Sequence, residues 1–94
     1  MEEDRDVRLR RLRLRSWRRG IREMDLILGG YADGALAGLE PTILDQFESL
    51  LAENDHDLYQ WISGTVSSPK EFQEIVGRIQ ARFGSCPLPL GRSL

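Results

Sequence analysis

The stretch Pro41-Thr42-Ile43-Leu44-Asp45-Gln46-Phe47-Glu48-Ser49-Leu50-Leu51 decides the fold. Its apolar residues fall at 43, 44, 47, 50 and 51, the rhythm of a helix with one buried face and not the alternation of a strand. Pro41 suits a first helical turn, where its missing N–H is no loss, and Glu40 before it is an imperfect cap. Downstream, Asn54-Asp55-His56-Asp57 reads as a turn with capping candidates. Leu58, Trp61 and Ile62 then mark a short helix ended by Gly64. Ser68-Pro69-Lys70-Glu71 reads as a capping box with proline at the first helical position. Phe72, Ile75, Val76, Ile79 and Phe83 follow on one helical face, which Gly84 closes.

Upstream, Leu9 and Leu12 make a helical stripe over residues 7–18, with Trp17 on its flank and Leu14 off it. Gly20 is a point of handover between helices. Ile21, Met24, Leu28 and Tyr31 recur at i, i+3, i+7 and i+10. Gly29-Gly30 would cost that helix about 1 kcal/mol each relative to alanine, which leaves its second half open. Gly30, Gly34 and Gly38, spaced by four, read as packing or loop and not as a membrane-helix contact. No stretch alternates as a strand. The expectation is an all-α, five-helix bundle in a single domain over residues 7–84, with a frayed segment 1–6 and a flexible tail 85–94. Its predicted core is Leu12, Met24, Leu28, Phe47, Leu51, Leu58, Trp61, Ile75, Val76 and Ile79.

Ninety-four residues give room for one modest core, and 40% apolar with 30% charged residues is the balance of a globular chain. No apolar run approaches the roughly 20 residues of a bilayer span. The acidic start, Met1-Glu2-Glu3-Asp4, has neither the apolar region of a signal peptide nor the acid-poor character of a transit peptide, which places the protein in the bacterial cytoplasm or, as a processed form, in an organelle. Cys86, the one cysteine, excludes an internal disulfide and a thiolate-rich metal site, and is read as a free thiol.

Charge is sharply segregated. Nine arginines lie between Arg5 and Arg22, whereas Lys70 is the sole basic residue between Glu23 and Val76. A cationic first helix and an anionic body make a strong electrical asymmetry, which steers partners. Arginine in place of lysine favours bidentate and stacking contacts.

Groups for catalysis are few. His56, the one histidine, sits between two aspartates in a polar turn and is read as solvated, not as a base or ligand. No catalytic residues and no metal site are assigned. The arginine-rich segment has three readings: a solvated helix face, a row of Arg5, Arg8, Arg11 and Arg15 that nucleic-acid phosphates could meet, or a docking surface for a protein carrying acidic or flavin-phosphate groups. Arg19 and Glu23, four apart, can pair if they share a helix, for a few tenths of a kcal/mol.

The order of four strings goes further. Arg19-Gly20-Ile21-Arg22-Glu23-Met24-Asp25 follows a basic, aromatic-bearing helix. Phe47, Leu50 and Leu51 come next, then Asp55-His56-Asp57-Leu58-Tyr59-Gln60-Trp61, then Ile79-Gln80. Over residues 11–83 this resembles the bacterial and mitochondrial succinate dehydrogenase flavinylation factors. Two stretches depart from the family pattern: the glycine- and alanine-rich residues 29–38, and Glu40-Pro41 at a helix start.

The resemblance implies a non-enzymatic, chaperone-like assembly factor, a monomer when free. It would bind the flavoprotein subunit of succinate dehydrogenase or fumarate reductase and promote covalent attachment of FAD. No cofactor would be held stably by the factor itself, since the client carries the FAD. Partner contacts fall on Arg18, Arg19, Gly20, Arg22 and Glu23, with Asp55 and Asp57 as caps and Leu58 and Trp61 as packing. The compartment is the bacterial cytoplasm, or the mitochondrial matrix for a processed form. The alternative is a small nucleic-acid-binding or toxin-antitoxin-type regulatory module using the N-terminal arginines.

Overall fold

A computed structural model describes residues 4–82, which form five α-helices, two 3-10 turns and no strand. The helices are α1 (Arg5–Ser16), α2 (Arg22–Ala35), α3 (Pro41–Leu50), α4 (Asp55–Ser63) and α5 (Gln73–Arg82). A 3-10 turn at Leu36–Gly38 follows α2, and another at Lys70–Phe72 leads into α5. The all-α bundle is as expected. The expectations for Phe83, Gly84, Cys86 and the tail 85–94 lie outside the described residues.

All ten predicted core residues are buried, and Leu12, Leu28, Phe47, Leu58, Ile75 and Ile79 have no exposed surface at all. The α3 stripe does what its spacing requires: Ile43, Leu44, Phe47 and Leu50 point inward. Tyr31 from α2 meets Phe47 with ring centroids 5.9 Å apart, and Trp61 from α4 meets Phe72 at 5.8 Å. Both pairs are tilted, the favoured aromatic geometry. α1 packs along α2, and α5 closes the bundle against α2, α3 and α4.

Several local expectations are corrected. α1 begins at Arg5, two residues early, because Arg8 N–H finds the Asp4 carbonyl and the Arg5 guanidinium donates to the carbonyls of Ala37 and Leu39. It stops at Ser16, whose hydroxyl turns back onto the Leu12 carbonyl at 2.8 Å. Ile21 is not on the α2 face: it is the residue before the helix and is 45% exposed, while Ile27 takes an inward position. α2 also runs straight through Gly29-Gly30. The Trp17 indole lies directly over Gly29, where a Cβ would sit 2.3 Å from the ring, and its Nε1 donates to Asp33 at 3.2 Å. Close approach of a side chain, then, explains the glycine that propensity disfavours.

The α4 cap is Asn54, which accepts from Asp57 N–H at 2.9 Å; neither Asp55 nor Asp57 caps. The helix ends at Gly64 in the left-handed conformation, φ +85°. The Ser68 capping box does not form. Pro69 precedes a 3-10 turn without a side-chain cap, and Phe72 N–H bonds the Pro69 carbonyl instead. That turn delivers Phe72 to Trp61.

The opposite charges of the two halves meet at the surface between α1 and α3. Arg8 bonds Asp45 at 2.7 Å and Glu48 at 2.8 Å, and Arg11 reaches Glu48 at 3.0 Å, clamping α1 onto α3. Partial burial raises the Glu48 carboxyl pKa, but Arg11 and Arg8 outweigh it and hold the group below the ordinary glutamate range. A depressed folded pKa contributes stability that is present above the unfolded value, about 4.3, and is lost as pH falls through the folded one. Stability should therefore drop below about pH 4.3 in urea titrations, and Glu48→Gln should flatten that part of the profile. Phe47→Ala should cost about 3–5 kcal/mol in the same assay at neutral pH.

Candidate functional site

The corner between α1 and α2 is built from residues 17–25. After Ser16 the chain leaves the helix through Trp17, whose N–H still reaches the carbonyls of Arg13 and Leu14, and Arg18 N–H bonds the Arg15 carbonyl at 3.2 Å. Gly20 then turns the chain with φ +92°, a conformation that favours glycine. Asp25 from the first turn of α2 reaches back and accepts Arg19 N–H at 2.7 Å, closing the corner.

Arg19 is the centre of this construction. Its guanidinium donates to the carbonyl of Leu51, to the carbonyl of Glu53 at 2.5 Å and to Asp55 Oδ1 at 2.8 Å. The Arg19 side chain is only 12% exposed and that of Asp55 17%. Carbonyls at the C-terminal end of a helix lack intrahelical partners, and Arg19 supplies one at the end of α3 while pairing with the first residue of α4. It joins the α1–α2 corner to the α3–α4 corner.

The five site residues predicted from sequence thus separate. Arg18, Gly20, Arg22 and Glu23 lie exposed together at the corner, and a Cβ on Gly20 would meet nothing within 4 Å. Arg19 faces inward and spends its donors on the fold. Arg19 and Glu23 do not share a helix, so the pairing open to them in that case does not arise: Arg19 precedes α2 and is held by Asp55, 36 residues away. Sequence reasoning missed Asp25 and Ile21 as parts of the corner. An acid in a first turn is ordinary helix chemistry, so nothing in the spacing marks Asp25 as the residue that closes the turn. Ile21, exposed beside Gly20, adds an apolar contact among charges.

The arginine row offered to phosphates is also resolved. Arg5 is tied to the Ala37 and Leu39 carbonyls, and Arg8 and Arg11 to the α3 carboxylates. Three of the four guanidiniums are thereby committed to the fold. His56 is exposed, and among the described residues no three His, Cys, Asp or Glu side chains are placed to share a metal ion. No described helix is long and apolar enough to cross a membrane.

The family model described as flavinator of succinate dehydrogenase matches residues 10–83. The chain belongs to this flavinator family. Relatives fall on both sides of the bacterial–mitochondrial divide. A Schizosaccharomyces pombe protein, succinate dehydrogenase assembly factor 2, mitochondrial, is 35% identical over 76% of this chain and 51% of its own length. A protein of the same name from Debaryomyces hansenii is 43% identical over 60% of this chain and 39% of its own length. The FAD assembly factor SdhE of Legionella pneumophila is 38% identical over 67% of this chain and 80% of its own length. This flavinator-family chain accordingly spans about half the length of the fission-yeast relative and most of the bacterial one.

Arg19→Ala should destabilise the flavinator fold by about 2–3 kcal/mol, since it strips hydrogen bonds from a carboxylate and two carbonyls that are largely buried. For a domain of this size that is roughly 10–20 °C in Tm. Arg18→Ala, at an exposed side chain, should leave Tm unchanged. Differential scanning calorimetry of the two variants separates them.

Proposed function

We propose that this protein binds the flavoprotein subunit of succinate dehydrogenase, or of fumarate reductase, and promotes covalent attachment of FAD to that subunit. The observation that carries the reading is the exposed Gly20 corner, lying within the stretch that the flavinator family shares. Open space at Gly20 lets another backbone or a bound flavin's surroundings come close. Arg18, Arg22 and Glu23 around it offer polar contacts, and Ile21 an apolar one.

The factor contributes no reacting group. The FAD stays with the client, and the chemistry of the linkage is the flavin's own. What the factor supplies is position: it holds the client's flavin-binding region in a bond-forming arrangement, converting an improbable encounter of groups into a poised one. Assembly factors, and not enzymes, are what the relatives are named. The proposed place of action is wherever the client matures: the bacterial cytoplasm, or the mitochondrial matrix for an organellar form.

The test uses a substitution that keeps the turn. Asparagine tolerates left-handed backbone better than other non-glycine residues, so Gly20→Asn should shift Tm by only a few degrees. Its side chain would occupy the space at Gly20 that the client is proposed to enter. In a strain lacking the native factor, the wild-type chain should restore covalent flavin on the flavoprotein, read by in-gel fluorescence, and Gly20→Asn should not. Normal covalent flavin without any factor would overturn the assignment.

A further inference from the structure

α1 carries a second stripe that the core does not use and that runs on, past the end of the helix, into Arg18 at the Gly20 corner. Val7, Arg10, Arg11, Leu14, Arg15 and Arg18 recur at i, i+3, i+4, i+7, i+8 and i+11. Roughly half a turn of helix separates this face from buried Leu9, Leu12 and Ser16. Val7 is 46% and Leu14 49% exposed. Together with Arg19, Asn54 and Asp55 these residues line an open groove of about 690 Å³. Arg11 is shared with Glu48, but the guanidiniums of Arg10, Arg15 and Arg18 have no partner among the described residues.

The sorting of arginines is what makes this face informative. The fold draws Arg5, Arg8, Arg11 and Arg19 inward and satisfies them. It leaves Arg10, Arg15 and Arg18 around two aliphatic side chains at helical spacing. Two exposed aliphatics one heptad apart, flanked by unpaired cations, are the imprint of helix-on-helix recognition with complementary flanking charge. A membrane-surface helix needs a broad apolar face, and here two of the three leucines of α1, Leu9 and Leu12, are buried in the core, which leaves only Val7 and Leu14 outside among the aliphatics of the helix. A phosphate backbone would meet Val7 and Leu14 where it needs donors, and three of the four arginines in the row suited to it are occupied elsewhere.

We propose that the outward stripe of α1, formed by Val7, Arg10, Leu14 and Arg15 and continued by Arg18 just beyond the helix, docks an acidic amphipathic helix of a partner protein. Aliphatic side chains of that helix cover Val7 and Leu14, and its carboxylates take bidentate contacts from the three unpartnered guanidiniums. The inference does not rest on the flavoprotein reading: it holds for whichever protein presents such a helix, and its test needs no flavinylation.

Fluorescence anisotropy of the full chain with a labelled leucine/glutamate helical peptide, at about 150 mM salt where long-range attraction is screened, reads the proposal. The controls are a scrambled peptide of identical composition, a short DNA duplex, and phosphatidylserine/phosphatidylcholine vesicles. Saturable binding of the amphipathic peptide, about tenfold tighter than of the scrambled one, is the expected result. Leu14→Ser should weaken it about fivefold or more, and Arg10→Glu with Arg15→Glu, both away from the Gly20 corner, should abolish it, each with Tm unchanged because these side chains are exposed. Equal affinity for the scrambled peptide would reduce the stripe to bare charge and overturn the proposal. So would tighter binding to DNA or to vesicles, or loss of no affinity in the stripe variants.

Discussion

The Arg19 guanidinium is the contact on which the arrangement of this molecule depends. A bundle of short helices has two weak points, the corners where chain direction reverses and where helix ends leave carbonyls without partners. Here one side chain serves both. It bonds carbonyls at the end of α3 and the carboxylate of Asp55 at the start of α4, while its own N–H is fixed by Asp25. A planar fork of donors can satisfy three acceptors at once, which a lysine cannot do with the same geometry. With Arg19 anchored, Gly20 has one place to be. The Arg-Gly-x-x-Glu string is then two things in sequence: an anchor that faces inward, and a surface that the anchor presents.

The same sorting governs the electrostatics. Read as a string, the chain is a cationic helix followed by an anionic body, and that picture suggests a polar molecule with one strongly positive end. Folding cancels much of it. Arg8 and Arg11 lie against Asp45 and Glu48, and Arg78 bridges Glu40 and Glu74 on the far side. Exposed pairs of this sort contribute little each. Their larger effect is to decide which arginines remain for partners. Those at the α1–α2 corner and on the outer face of α1 remain, and Arg18 borders both.

How much of this was legible depended on the distance over which each constraint acts. The α3 face was plain because every residue that defines it lies within eleven positions, and the pattern 43, 44, 47, 50, 51 has one reading. Pro41 and Gly64 marked helix boundaries through their own backbone preferences. Gly29 was misread as a weakness of α2, because its reason is the Trp17 indole, and no local rule announces that a ring will lie there. The Ser68 box had every local credential, yet a 3-10 turn that brings Phe72 to Trp61 took precedence, a case of tertiary packing overriding propensity. Arg19 was read as a surface residue since its partners lie 32 to 36 positions away. Its neighbours Arg18, Gly20, Arg22 and Glu23 were placed at the surface by the family likeness more than by any property of their spacing.

The proposed role, positioning a client while the chemistry stays with the flavin, asks for a surface that is already ordered. Association costs freedom on both sides, and ordering a loop at the moment of binding adds to that cost. The Gly20 corner avoids much of it. Arg19 at its start is held twice, its N–H by Asp25 and its guanidinium by the α3–α4 corner, and the Asp25 contact closes the turn over the exposed residues between them. Glycine at the apex would ordinarily be the most mobile residue in such a turn. Next to the doubly held Arg19, it becomes instead a gap in the side-chain surface, the gap that the proposed client would enter. Stability and recognition are thereby tied together in adjacent residues: the contacts that hold the α1–α2 corner to the α3–α4 corner are the ones that preorganise the surface at Gly20.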